Sequence, residues 1–121
     1  MTQMSDGSYP APKGTRFLKP ESIEVGYDVH DERRSQNAKW GEQDHPNGTD
    51  GRDQNVHNAN TAKWLTDAHA KAGTVTWRDI LDEEVQEAFA EFDPRKLRTE
   101  LIQVAAVAQA WVEAIDRRDD S

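Results

Sequence analysis

The sequence predicts an all-α fold: a small bundle of about four helices with a flexible N-terminal arm, in a subunit that other copies of the chain complete. Three observations carry this. No segment alternates apolar and polar residues with the period of two that a half-buried strand requires, whereas the second half of the chain repeats apolar residues at helical spacing. Helix punctuation falls at fixed places, with Gly73 as a stop, Thr76 as a start and Asp93-Pro94 as a break followed by a restart. Hydrophobic residues make up 35% of the 121 positions and charged residues 31%, so the core is modest and part of the chain lies outside it or against a neighbour.

Residues 1–25 mix Pro, Gly, Ser and Lys with little periodicity and read as an arm, disordered unless a partner subunit orders it. Residues 26–118 form the domain and 119–121 a tail. Within the domain, "DVHDERRSQNAKW" at 28–40 has no Gly or Pro and reads as a helix with a thin apolar face. "GEQDHPNGTDGRDQN" at 41–55 is a loop. It matches neither a phosphate loop nor a dinucleotide fingerprint, and reads as an ordinary solvent loop or a lid over a site. From Val56 to Ala72 a second helix presents Ala59, Ala62, Trp64, Leu65, Ala68 and Ala72, and Gly73 ends it. Thr76 then caps a third helix, where apolar residues at 77, 80, 81, 85, 88, 89 and 92 make one face. Asp93 is placed to cap the last helix and Pro94 to begin it. This helix, 94–117, carries a stripe of Leu97, Leu101, Val104, Ala105, Ala108, Val112 and Ile115, expected to be buried.

The net charge of −8 and a sequence pI near 4.9 argue against binding a nucleic-acid polymer, whose phosphates call for clustered Lys and Arg. With no cysteine, disulfides and thiolate metal sites are excluded. No apolar run approaches the roughly 20 residues of a membrane span, and the expected location is the cytoplasm.

The chemistry concentrates on the last two helices. Joined almost without a loop, they are expected to pack as an antiparallel hairpin. Glu84 and Glu87 are three apart on the first; Glu100 and Gln103 are three apart on the second, the spacing of neighbours on a helix surface. Glu87 and Glu100 are equidistant from the Asp93–Pro94 junction, and so are Glu84 and Gln103. At about 100° per residue, Glu84 and Glu100 also fall on the same side of their apolar stripes. Four polar side chains therefore converge. Three carboxylates in one place repel unless a cation joins them, and Mg²⁺ suits an oxygen set with few carboxylates. The competing reading is that these residues are solvated flanks of amphipathic helices.

"EEVQE" at 83–87 followed by "ELIQ" at 100–103 resembles the EExxE…ExxD signature of the all-α nucleoside triphosphate pyrophosphohydrolases, the MazG-like superfamily. "ERRSQNAKWGEQDHPNG" resembles a segment of small bacteriophage and actinobacterial proteins of this kind. The resemblance implies an all-α subunit, a homodimer or homotetramer, with Mg²⁺ as cofactor. It implies cleavage of a nucleotide substrate between its α- and β-phosphates, giving a monophosphate and pyrophosphate. Carried over by position, Glu84, Glu87 and Glu100 become metal ligands and catalytic residues, with Gln103 at the fourth metal position. There the family has Asp. An amide brings no negative charge, so either a nearby acid such as Glu91 or Asp82 compensates, or the site binds a nucleotide without cleaving it. Glu83 falls on the far side of its helix.

Arg33, Arg34, Lys39 and Trp40 lie on the first predicted helix. As substrate-binding residues, Arg33 and Lys39 would contact phosphates and Trp40 would stack on a base; alternatively Trp40 closes the core where its helix ends. Trp64, Trp77 and Trp111 read as core or subunit contacts. The four histidines, His30, His45, His57 and His69, lack zinc-site spacing. Three accounts stay open: a Mg²⁺-dependent hydrolase, a nucleotide-binding protein of the same fold without turnover, and a structural helical protein such as a virus-particle component.

Overall fold

The computed structural model describes residues 19–119, which form four α-helices and no strand: α1 (Pro20–Trp40), α2 (Asp53–Ala72), α3 (Trp77–Phe89) and α4 (Pro94–Asp119). The predicted all-α class holds. Residues 1–18 of the predicted arm and the last two residues of the tail lie outside the described residues.

Residues 20–25, expected in the arm, are helical instead. α1 starts at Pro20, eight residues earlier than the apolar pattern suggests. Proline is preformed for the first helical position, where no amide hydrogen is needed, and Glu21 follows in the first turn. Val25 is buried, and Ser22 donates a hydrogen bond to Glu113 of α4. Contact with α4 thus recruits a segment that Gly26 and a weak apolar pattern made look unstructured. Beyond Gly26 the helix is exposed to its end.

The other boundaries follow local chemistry. Gly73 adopts φ 74°, ψ 19°, left-handed geometry that a side chain would strain, and its amide bonds Ala70 O while that of Thr74 bonds His69 O at 2.8 Å. Thr76 caps α3 through a reciprocal pair: its Oγ1 accepts from the Asp79 amide at 3.2 Å, and Asp79 Oδ2 accepts from the Thr76 amide at 3.0 Å. α3 stops at Phe89, three residues short of the predicted end. At the α3–α4 corner Asp93 Oδ1 accepts from the Arg95 amide at 3.0 Å, the capping role its sequence position predicts.

α3 packs between α2 and α4, and α1 packs on α4 alone, so the helices follow one another in the order α2, α3, α4, α1. Among the described residues no other pair of helices meets, and the arrangement is an open row rather than a closed bundle. The loop after α1 returns to the corner: Thr49 Oγ1 donates to Glu91 O at 2.7 Å and the Asp50 amide to Phe89 O at 3.2 Å. No helix among the described residues is long and apolar enough to cross a membrane.

The buried hydrophobic residues are Val25, Ala62, Ala88 and Leu97. The expected buried stripe of α4 is therefore only partly inside. Leu97 is buried and Val104 half-buried, whereas Leu101, Ala105, Ala108, Val112 and Ile115 are exposed. The inward face is instead the neighbouring one, with Leu97, Glu100, Val104, Val107, Trp111 and Ala114. The helix is apolar over nearly half its circumference, and within one chain α3 and α1 cover only one side of that arc. Trp77 and Trp111 are half-buried, as expected of packing residues, but Trp64 is 68% exposed and Trp40 61%, so neither closes the core of the chain.

Candidate functional site

α3 and α4 run as the predicted hairpin, and their facing edges bring the mirrored acidic pairs together. Glu84, Glu87 and Glu100 each offer a carboxylate oxygen, and these oxygens lie within 4.8 Å of one another. All three residues are half-buried. Gln103 belongs to the same cluster. With its amide oriented to satisfy both neighbours, Nε2 donates to Glu84 Oε2 at 3.1 Å and to Glu100 Oε2 at 3.2 Å.

Burial, reinforced by the charges of Glu100 and Glu83, pushes the Glu84 carboxyl above the ordinary glutamate range. Glu87 is raised as well, first by burial and then by Glu84, Glu100 and Glu83, with Lys63 opposing. Two carboxylates this close repel by a few kcal/mol at the effective dielectric of a half-buried site, about 20. A cation relieves that repulsion. Opposite ligands lie about 4.2 Å apart around Mg²⁺ and about 4.8 Å around Ca²⁺. The three oxygens therefore fit the shell of a hard divalent ion after small side-chain rotations. The donor set is all oxygen, which such ions prefer. Gln103 can join it by turning its carbonyl inward, at the cost of the two bonds its NH₂ makes to the carboxylates.

Glu83 is nearer to this chemistry than its side of the helix suggests. It faces α2, where Lys63 Nζ lies 3.9 Å from its Oε1 and 3.3 Å from Asp67 Oδ2. Burial raises Glu83 while Lys63 pulls it back. Among the described residues Lys63 is the basic group that acts on Glu83 and Glu87 together. Sequence reasoning missed it because the register of α2 against α3 is set by packing, not by spacing along either helix. The two acids suggested as substitutes for the missing Asp are engaged elsewhere: Asp82 Oδ1 accepts from Gln86 at 3.3 Å, and Glu91 Oε1 from the Asp93 amide at 3.2 Å.

The predicted substrate-binding residues stand apart from the cluster. Arg33 donates to Gln36 at 2.7 Å, and Lys39 Nζ lies 4.8 Å from the centre of the Trp40 ring. With Glu32, Gln36 and Gln43 they line an open cleft of about 780 Å³ at the C-terminal end of α1. None of its lining residues belongs to the acidic cluster. A second groove, between α2 and α3, is lined by His57, Asn58, Asp82 and Gln86.

Compared with known proteins, the chain matches no family model, no curated protein and no solved structure.

Proposed function

We propose that the chain is a Mg²⁺-dependent nucleotide pyrophosphohydrolase of the MazG-like kind, acting in the cytoplasm as a homodimer or homotetramer. The observation that carries this reading is the convergence of Glu84, Glu87 and Glu100 from two helices, with their oxygens within 4.8 Å of one another and two of the three carboxyls raised in pKa. Like charges gathered on half-buried edges cost stability unless a counter-charge joins them, and this favours a cation site over a solvated flank.

Glu84, Glu87 and Glu100 would hold the ion. Mg²⁺, when bound there, would supply charge neutralisation for phosphate oxygens and a more acidic water. The carboxylates would orient the attacking water and could take up its proton; in the hydrolysis a water oxygen bonds to the α-phosphorus while the oxygen bridging the α- and β-phosphates leaves with pyrophosphate. Lys63 pairs with Glu83 and tempers the charge of Glu83 and Glu87. Within the chain, the contacts of Arg33, Lys39 and Trp40 stay on α1 and the loop after it, so in this reading they reach a nucleotide across a subunit boundary.

A second reading has its own support. Gln103 donates to Glu84 and Glu100, a bridge that holds the carboxylates together without a metal. This favours a protein that binds a nucleotide weakly with Mg²⁺ and does not turn it over. Incubation with a panel of NTPs and dNTPs plus Mg²⁺ tests the first reading through pyrophosphate release. No release by folded protein removes it; hydrolysis gained on Gln103→Asp then supports the second. Calorimetry with neither Mg²⁺ nor nucleotide binding would leave the structural role, which the exposed apolar residues favour.

A further inference from the structure

The described residues bury few apolar side chains, yet leave Leu101 50% exposed, Val112 41% and Ile115 42%, all on one side of α4. With Ala105 and Ala108 they form the sequence of positions 101, 105, 108, 112 and 115, alternating steps of four and three. This is the 3.5-residue repeat of a helix seam that receives another helix. The inward face of α4 repeats in the same way through 97, 100, 104, 107, 111 and 114, and there α3 and α1 supply the partners. The helix therefore carries two seams, of which one is filled.

We infer that the outer seam of α4 docks against the same seam of a second copy, antiparallel across a two-fold axis near Ala108. Pairing about that point sets Leu101 against Ile115 of the partner subunit and Ala105 against Val112 of the partner subunit. The two small Ala108 side chains meet at the closest approach. The flanking charges fit the same geometry. Arg98 and Asp116 lie on one edge of the seam, about equally far from Ala108 and on opposite sides of it, and neither has a hydrogen bond or ion pair among the described residues. In an antiparallel pair each Arg98 approaches Asp116 of the partner subunit, twice over, as an isologous interface requires.

The charge balance also permits pairing along this helix. The chain as a whole carries −8, but α4 holds five basic and four acidic side chains, so two copies can approach along it without strong net repulsion. A membrane surface is a poor occupant, because an interfacial helix needs a polar face rich in Lys and Arg, and here acids alternate with them. The inference does not depend on nucleotide hydrolysis.

Sedimentation equilibrium of the full chain should give a dimer at micromolar concentration, and a monomer would overturn the proposal. Since the chain has no cysteine, Ala108→Cys introduces one thiol that faces its own symmetry mate. Mild oxidation should crosslink it to a dimer, while Lys71→Cys at the end of α2 should remain uncrosslinked. Equal crosslinking of the two overturns the seam as the interface. Arg98→Glu should weaken dimerisation several-fold, and adding Asp116→Arg should restore it. These surface changes spare the fold; if neither shifts the dimer constant, the antiparallel register is wrong.

Discussion

Asp79 and Glu87 sit two turns apart on the same helix, and the chain treats their carboxylates in opposite ways. Asp79 collects three donors on one oxygen: its Oδ2 accepts from the Thr76 amide, the Thr76 hydroxyl and His69 Nδ1, each at 3.0 Å. The Thr76 amide, then His69 and the Thr76 hydroxyl, hold it below the ordinary aspartate range against the opposing effect of burial. Among the described residues Glu87 receives no comparable donors. Burial and its acidic neighbours raise it, and only Lys63 works the other way. The first carboxylate is satisfied by its own fold; the second keeps a charge that water, a proton or a cation can answer. In the proposed reading that difference separates a structural acid from a functional one.

The strongest way to test the contrast is to neutralise one acid at each place. Glu87→Gln should lower pyrophosphate release at least about 100-fold, the scale of losing one preorganised electrostatic group, and abolish Mg²⁺ binding in calorimetry. It should at the same time raise the melting temperature of metal-free protein, because it removes repulsion. A loss of both activity and stability would mean that Glu87 is structural after all. Asp79→Asn should do the reverse, lowering the melting temperature and leaving Mg²⁺ affinity unchanged.

Gln103→Asp sharpens the functional side. It restores a fourth charge and removes two amide bonds, so Mg²⁺ affinity should rise about tenfold, equivalent to about 1.4 kcal/mol, while the metal-free protein loses stability. Unchanged affinity would place Gln103 outside the ion's reach.

pH separates the two groups through the sign of their shifts. Glu84 and Glu87 are raised in the fold, so protonation favours the native state. Their contribution is fully present below the unfolded glutamate pKa and is lost as pH rises through the folded value. Asp79 is lowered, so its contribution exists above the unfolded aspartate pKa and is lost as pH falls through the folded one. Stabilisation of the protein by Mg²⁺ in thermal melts should therefore be large at neutral pH and fade as the pH drops into the raised glutamate range. In Asp79→Asn the acid-side loss of stability should shrink. The smallest effect belongs to the cap alone: Thr76→Ala should cost about 1 kcal/mol, or roughly 4–8 °C in a domain of this size, with Mg²⁺ binding intact.

How far the sequence could be read depended on whether a feature was local. Gly73, Thr76 and Asp93-Pro94 mark helix ends by backbone chemistry that needs no distant partner, and α2, α3 and α4 were legible from them. The acidic cluster was legible for a related reason. A hairpin with almost no loop turns equal distances from its bend into facing positions, so Glu87 and Glu100 could be paired before any coordinates existed. What escaped was set by tertiary contact. α1 begins at Pro20 because Val25 finds α4, and nothing in residues 20–27 announces that. Lys63 reaches Glu83 through a register that two separate helices choose between them. The α4 stripe was correctly recognised as apolar, but which part of it faces inward is decided by where α3 and α1 come to rest. Arg33, Lys39 and Trp40 were grouped with the site by resemblance, and the exposed end of α1 carries them to a cleft of their own.

The docking of α1 on α4 also sets an order of events during synthesis. Ser22 and Glu113, which bond to each other, are 91 positions apart, so α1 is made well before α4, the helix on which it packs. The hairpin and α2 can assemble through nearby contacts while the nascent chain still trails α1. Until α1 docks, that flank of α4 stays open, and during that interval the nascent chain exposes apolar surface that the finished fold covers.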